Sequence, residues 1–167
     1  HAMGLVEAQT GGGSADGANS IRVQGNAAVQ NTGGGRILQH TSRPVLSNLQ
    51  IIGNRADNGG GLYNDNSAPL LPKVVLSGNN VQASGGAIYS TGSDSLVLVN
   101  VRISGNAAGS GGALYNISST LSLTNVTIAG NIAGHGGGMY NQSVDCRLLN
   151  TIIYDNSIGL VNDAGTT

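Results

Sequence analysis

The sequence predicts an all-β fold, a right-handed parallel β-helix of about five to six coils with 25–28 residues each. A Gly-Asn corner recurs at this nearly constant interval along the chain, which is the pattern of a solenoid. Apolar and polar residues alternate between the corners, as they do in half-buried strands. No unit contains the stretch of about 10–15 residues with helical periodicity that a helix would need. These three observations together predict stacked β coils.

Composition narrows the class of protein further. The 167 residues include 28 Gly, no Phe and no Trp, and 39% are hydrophobic while 9% are charged. The Gly residues follow no strict Gly-X-Y period, which excludes collagen, and the ordered apolar repeat argues against disorder. The seven Lys and Arg residues are scattered singly, so nucleic acid is not an expected partner. No run of 18 apolar residues is present, so this segment is predicted to have no membrane span.

The chain divides into three predicted segments. Residues 1–20 are rich in Gly, Ala and Ser and begin with His1-Ala2-Met3, so we interpret them as a tag remnant and a lead-in or irregular cap. Residues 21–163 form the predicted β-helix, and residues 164–167 form a tail. The last unit is shortened and no capping helix follows it. The sequence therefore favours a fragment of a longer solenoid, or an end covered by a partner through end-to-end or parent-chain contacts.

Each coil is predicted to contain three short strands. In one representative coil, the first strand is the Leu-x-Leu run at 96–98, and the second is the Val-x-Ile run at 101–103. The third surrounds the Gly-Gly-Ala-Leu-Tyr run at 111–115. The alternation of inward and outward residues shifts at Asn100, between the first two strands. This shift indicates a corner.

Stacking the coils by one strand spacing, about 4.8 Å, places equivalent residues in ladders. One apolar ladder is predicted to point inward at Ile37, Leu62, Ile88, Leu114, Met139 and Leu160. A narrower inward ladder comprises Ala56, Val81, Ala108, Ala133 and Ile158. One structural Asn ladder comprises Asn48, Asn100, Asn125 and Asn150, and its corner at Asn125 is expected to be buried. A second comprises Asn54, Asn79, Asn106, Asn131 and Asn156. Stacked Asn amides can hydrogen-bond along the axis.

Two elements of the repeat resemble a known family. Ile103-Ser104-Gly105-Asn106 followed by Gly111-Gly112-Ala113-Leu114 is similar to the paired repeat of chlamydial polymorphic membrane proteins, which couples Phe-x-x-Asn to Gly-Gly-Ala-(Ile/Leu/Val). Residues 85–88 match the second element fully, whereas Val, Ile or Leu replaces the Phe of the first element in every unit. The resemblance covers about residues 21–163. It implies an autotransporter-like passenger domain that is exported and displayed at the bacterial surface, often as an adhesin.

The candidate binding residues are Tyr63, Tyr89, Tyr115 and Tyr140, which recur once per coil. Each of them follows a residue of the inward ladder, so each is predicted to face outward. An outward aromatic row can stack against the sugar rings of a glycan. The same rings can instead stack on one another and stabilise the solenoid. The sequence leaves both interpretations open.

No catalytic residue, metal ligand or cofactor site is predicted. The acidic residues fall at different positions within the repeat, so stacking the coils is not expected to bring them together. They are Asp57, Asp65, Asp94, Asp145, Asp155 and Asp163. His40 and His135 have no second ligand at metal-binding spacing. Cys146 is the only cysteine and occupies an inward position of the repeat, so it is interpreted as a small buried hydrophobe.

The sequence therefore favours a non-enzymatic, secreted or cell-surface β-helix segment of a bacterial protein. We expect it to act as a scaffold or adhesin with a carbohydrate or a protein surface as its ligand. The alternative is a polysaccharide lyase or hydrolase on a pectate-lyase-like β-helix, which needs clustered carboxylates for Ca²⁺ and an Arg or Lys base. An ice-binding face would need a regular Thr row, but Thr124 and Thr127 have no equivalents in the other coils.

Overall fold

The computed structural model describes residues 21–24, 38–40, 43, 45–92 and 95–163. The lead-in predicted for residues 1–20 and the tail predicted for 164–167 lie outside the described residues. The same holds for Ile37 of the first inward ladder and for the carboxylate of Asp94.

The described chain forms twenty short strands in four parallel sheets, and we name the sheets A to D in the order in which a coil visits them. Sheet A contains β1 (Ile21–Gln24), β3 (Leu49–Ile52), β7 (Val75–Ser77), β11 (Arg102–Ser104), β15 (Thr127–Ala129) and β19 (Ile152–Tyr154). Sheet B contains β4 (Arg55–Asn58), β8 (Asn80–Ser84), β12 (Ala107–Ser110) and β16 (Ile132–His135). Sheet C contains β2 (Leu38–His40), β5 (Leu62–Asp65), β9 (Ile88–Thr91), β13 (Leu114–Ile117), β17 (Met139–Gln142) and β20 (Leu160–Asp163). Sheet D contains β6 (Leu70–Pro72), β10 (Ser95–Val99), β14 (Thr120–Thr124) and β18 (Asp145–Leu149).

The arrangement is a parallel β-helix, as the sequence predicts. Four complete coils run through sheets A, B, C and D in turn, and partial coils with strands in sheets A and C flank them at both ends. All strand pairs are parallel, and equivalent residues pair at intervals of 25–28 positions, for example Leu114 with Met139 and Ile21 with Leu49, except between β17 and β20, where the shortened last coil reduces the interval to 21. Sheets A and C have six rungs, but only four coils are complete, so the coil count is slightly lower than the predicted five to six.

The predicted number of strands per coil is wrong, because each complete coil has four strands rather than three. The additional strand is that of sheet B, which follows the Gly-Asn corner. In the first complete coil, Gly53 and Gly59 adopt left-handed φ values of +66° and +60° on either side of β4. These two glycines turn the chain at both ends and leave a short extended segment between them. The Ala, Asn and Gly residues of sheet B have low strand propensity, so the sequence pattern did not indicate a strand there.

The core consists of apolar ladders that run the length of the stack. Leu62, Ile88, Leu114 and Met139 pair in register in sheet C and are completely buried. The narrower ladder is buried at Ala56, Val81 and Ala133 and half-buried at Ala108. Leu160 continues the first inward ladder, since it pairs in register with Met139, but Leu160 and Ile158 are both exposed because they lie on the last coil. No further coil of the described residues stacks on them.

The inner Asn ladder is completely buried from Asn54 to Asn131 and joins each complete coil to the next coil. In each step, the backbone N–H and the side-chain amide of one Asn both donate to Oδ1 of the next. Asn54 donates to Asn79 at 3.0 and 2.9 Å, and Asn79 donates to Asn106 at the same two distances. The same pattern continues through Asn131 to Asn156. This ladder satisfies polar groups that would otherwise be buried without partners.

The outer Asn ladder lies at the corner between sheets D and A. Its members have left-handed φ values of 47–55° at Asn48, Asn100, Asn125 and Asn150. The side chain of Asn150 donates to Asn125 at 3.2 Å, and that of Asn125 donates to Asn100 at 3.1 Å. The expectation of a buried corner at Asn125 is wrong, because this residue is exposed. At this corner the polar side chains face solvent, and Asn is favoured because it tolerates the left-handed conformation.

Candidate functional site

The four candidate Tyr residues lie side by side on the outer surface of sheet C. A left-handed Gly opens the turn before each strand, with φ between 57° and 71° at Gly59, Gly85, Gly111 and Gly136. The next two residues pass close to the adjacent coil, and the strand then begins with the buried residue of the inward ladder. Because successive side chains alternate across a strand, the Tyr that follows points outward. The register pairs Tyr63 with Tyr89, Tyr89 with Tyr115, and Tyr115 with Tyr140.

The Tyr rings stack on one another in one continuous column. The ring centroids of Tyr63 and Tyr89 are 4.9 Å apart with an interplanar angle of 6°. Those of Tyr89 and Tyr115 are 5.3 Å apart at 13°, and those of Tyr115 and Tyr140 are 4.9 Å apart at 6°. Nearly parallel rings at this separation form offset stacks, which are favourable beyond the area that they bury. The column therefore stabilises the rung-to-rung contact of sheet C.

The stacking determines which part of each ring a ligand can reach. Both faces of Tyr89 and Tyr115 lie against neighbouring rings, so a sugar ring cannot lie flat on either of them. All four side chains are half-buried, and for Tyr89 and Tyr115 the parts left for a ligand are ring edges and hydroxyl groups. The row of hydroxyl groups follows the spacing of the coils and spans roughly 15 Å, three rung spacings of about 4.8 Å.

The surroundings of the phenols favour their neutral form. Burial raises the pKa of the Tyr63 hydroxyl above its usual value of 10.0, and the negative charge of Asp65 raises it further. Burial also raises the pKa of Tyr89, with smaller contributions from Tyr63, Tyr115 and Asp65. At neutral pH these hydroxyl groups are therefore protonated, and each can both donate and accept a hydrogen bond.

A second row runs beside the Tyr column, two residues further along each strand. It is composed of Asp65, Thr91, Ile117 and Gln142, which pair in register on the same outward face. Three of the four side chains are polar, and all four are at least partly exposed. The sequence analysis missed this row, although the two-residue period of a strand places position i+2 on the same face as the Tyr. We call the column and this row together the Tyr face.

A buried polar row holds the Tyr face in register from the inside. The residue after each Tyr points inward, at Asn64, Ser90, Asn116 and Asn141, and all four are buried. The side chain of Asn64 donates to the hydroxyl of Ser90 at 3.0 Å, and that of Asn116 donates to Asn141 at 2.8 Å. A slip of one residue would expose these amides and bury the Tyr rings, so the alternation fixes which side chains face outward.

The other candidate residues do not come together. Within the described part of the chain, no group of three or more His, Cys, Asp or Glu residues could hold a metal ion. Asp145 and Asp155 are exposed, and so is His135 at the end of β16. Cys146 is half-buried against the core, and burial together with the charge of Asp145 raises the pKa of its thiol, which lowers its reactivity.

Among the described residues, no helix is long and apolar enough to span a membrane. Comparison of the chain with protein-family models, with curated proteins and with solved structures yields no match. The parallel β-helix and its Tyr face are thus defined by the residues and geometry of the chain alone.

Proposed function

We propose that this chain is a non-enzymatic β-helix segment of a secreted or cell-surface bacterial protein, and that its Tyr face binds an extended glycan. The observation that carries the proposal is the column of four Tyr residues in register, with hydroxyl groups repeated along the coil axis. Tyr offers an apolar ring and a polar end at one position, which suits an interface that is partly wet.

The chemistry of the Tyr face fits a polymer with regularly repeated hydroxyl groups. Each Tyr hydroxyl can donate to one sugar oxygen and accept from another, while the exposed ring edges contact the C–H groups of the sugar. Asp65, Thr91 and Gln142 add acceptors and donors in the neighbouring row. The rings are already ordered because they stack on one another. Binding of a ligand therefore costs little side-chain conformational entropy.

We further propose kinship with the passenger domains of chlamydial polymorphic membrane proteins, and with it export and surface display. Residues 85–88 and 111–114 carry the Gly-Gly-Ala-(Ile/Leu) element. Gly86 and Gly112 of this element have no room for a larger residue, because an added Cβ at either would collide with a backbone carbonyl oxygen of the next coil. That constraint can select the same glycines in unrelated solenoids, so the kinship rests on the pairing of this element with the corner Asn of the first element, whose Phe is replaced in every unit.

The test is binding of the wild-type chain and of a Tyr89→Phe/Tyr115→Phe variant to a glycan array. The double variant keeps both rings in the column and removes two hydroxyl groups. We expect a loss of affinity of about five- to 150-fold for the best-bound glycan, since two hydrogen bonds contribute about 1–3 kcal/mol together and 1.4 kcal/mol is tenfold. Thermal unfolding of the variant should match that of the wild type.

Tyr154→Phe is the matched control, because Tyr154 is exposed on sheet A, away from the Tyr column. This variant should bind glycans as the wild type does. Wild-type protein that binds no glycan, or a double variant with unchanged affinity, would refute the role of the Tyr face. Binding to cell-surface proteins that survives removal of their glycans would instead indicate a protein ligand.

A further inference from the structure

Four of the five Tyr residues of the chain hold their rings against one another in the column of sheet C. The pairs Tyr63–Tyr89 and Tyr115–Tyr140 have ring centroids 4.9 Å apart and planes 6° from parallel. The middle pair, Tyr89–Tyr115, is at 5.3 Å and 13°. Because these residues pair in register and their rings are nearly parallel, equivalent ring atoms repeat at about the same spacing. The ring carbons next to each hydroxyl group, the ortho carbons, thus lie about one rung from their counterparts.

This arrangement suits one reaction of phenols, the coupling of two rings after oxidation. Loss of one electron and one proton from a phenol gives a phenoxyl radical, whose unpaired electron is shared by the oxygen, the ortho carbons and the para carbon. In Tyr the para carbon carries the side chain, so two radicals couple through their ortho carbons. The new carbon–carbon bond forms perpendicular to each ring plane, which is the direction in which one ring of the column faces the next.

The backbone of sheet C keeps the reacting residues close to each other. β5, β9, β13 and β17 pair in parallel register, so each Tyr stays one rung from the next. Coupling within the column is therefore intramolecular, and groups held in this way react at a high effective concentration. All four side chains are half-buried on the outer surface. The rings can thus turn from the stacked arrangement to the edge-joined arrangement of the product without displacing core residues.

The other oxidisable side chains of the described residues lie away from the column. The chain has no Trp. Met139 is completely buried behind the column, and Cys146 is half-buried in sheet D. Tyr154, the fifth Tyr, is 56% exposed in β19, where its register partner is Ala129. It has no stacked Tyr partner within the chain, so it provides an internal reference for coupling between different chains.

We propose that the Tyr column is a site of oxidative cross-linking, at which Tyr rings of successive coils join as dityrosine. The oxidant is hydrogen peroxide acting through a haem peroxidase. One peroxide takes one electron and one proton from each of two phenols and is reduced to two water molecules. The two radicals form one carbon–carbon bond, and each coupled ortho carbon then gives its proton to solvent while the oxygen of that ring takes one up, which restores both phenols.

Four rings in one column can form two separate links, and the two pairs with the shorter centroid distance use all four of them. These pairs are Tyr63–Tyr89 and Tyr115–Tyr140. Each link closes a loop of about one coil and so restricts the unfolded chain. The urea concentration at the midpoint of unfolding should therefore rise by about 1 M or more after oxidation. The proposal uses the stacking of the rings alone and is independent of glycan binding.

The experiment is treatment of the dilute 167-residue chain with a haem peroxidase and hydrogen peroxide. The products are reduced to remove disulfides through Cys146, separated by denaturing electrophoresis and mapped by tandem mass spectrometry. We expect dityrosine fluorescence in the product that has the mass of one chain, with peptides linked from Tyr63 to Tyr89 and from Tyr115 to Tyr140. Because the reaction is intramolecular, its yield per chain should not fall on dilution.

Two triple variants provide a matched comparison, since each keeps two column Tyr residues and every ring of the column. Tyr63→Phe/Tyr89→Phe/Tyr154→Phe keeps Tyr115 and Tyr140 on adjacent rungs, whereas Tyr89→Phe/Tyr115→Phe/Tyr154→Phe keeps Tyr63 and Tyr140 three rungs apart. The first should give at least about tenfold more dityrosine within one chain than the second. Circular dichroism of both should match that of the wild type. Equal yields in the two variants, or wild-type dityrosine found only between chains, would overturn the proposal.

Discussion

Gly112→Ala is expected to lower the free energy of unfolding by about 3 kcal/mol, near the upper end of the range for inserted methyl groups. A Cβ atom on Gly112 would lie 2.5 Å from the carbonyl oxygen of Gly137 and 2.7 Å from that of Ile132. Both are backbone atoms of the next coil, which cannot yield without separating two rungs. Urea unfolding monitored by circular dichroism measures the difference.

Gly159→Ala is the matched control for this substitution. The added Cβ would meet no atom within 4 Å, and the backbone there is not left-handed. Exchange of Gly for Ala at such a position changes stability by less than about 1 kcal/mol, chiefly by restricting the unfolded chain. If Gly112→Ala unfolded at the same urea concentration as the wild type, the close contact between coils would be disproved.

Asn106→Ala is expected to destabilise the protein by about 2–5 kcal/mol, because two buried donors lose their acceptor. Oδ1 of Asn106 accepts from the backbone N–H of Asn79 at 3.0 Å and from its side-chain amide at 2.9 Å. The side chain of Asn106 in turn donates to Oδ1 of Asn131 at 2.9 Å. One truncation therefore interrupts the inner ladder in the middle of the stack, on both sides.

The control for the ladder is Asn80→Ala in sheet B. Asn80 is exposed, so its truncation should change the free energy of unfolding by no more than about 0.5 kcal/mol. Equal stability of the Asn106 and Asn80 variants would show that the inner ladder does not hold the coils together. Hydrogen exchange would locate the effect of Asn106→Ala, with the largest loss of protection in the coils on either side of it.

The sequence predicted the parallel β-helix because its two strongest signals are local and periodic. Gly53, Gly78, Gly105 and Gly130 precede corner Asn residues and all adopt left-handed φ values, so a turn is specified once per coil. The inward ladder could be assigned because alternation fixes one face of each strand. Sheet B could not be predicted in the same way, because its Ala, Gly and Asn residues form strands only when the neighbouring coils supply hydrogen bonds.

Other features depended on contacts that no single repeat contains. Ile158 and Leu160 occupy positions of the repeat at which earlier coils have inward-facing residues. Their burial nevertheless depends on whether another coil covers them. The sequence placed the Tyr residues outward, but it left open whether their faces would meet a ligand or one another. That choice depends on side-chain rotamers and on the small offset between rungs, and in the resulting column both ring faces of Tyr89 and Tyr115 lie against neighbouring rings.

The central claim is that equivalent residues of successive coils stack in parallel register. The most direct test is a set of nuclear Overhauser contacts between backbone amide and α protons of β13 and β17 in the isotope-labelled chain. The account predicts parallel-strand contacts linking Leu114 to Met139 and Tyr115 to Tyr140, repeated from coil to coil along sheet C. Antiparallel contacts between these strands, or a set dominated by the short-range contacts of helices, would contradict it.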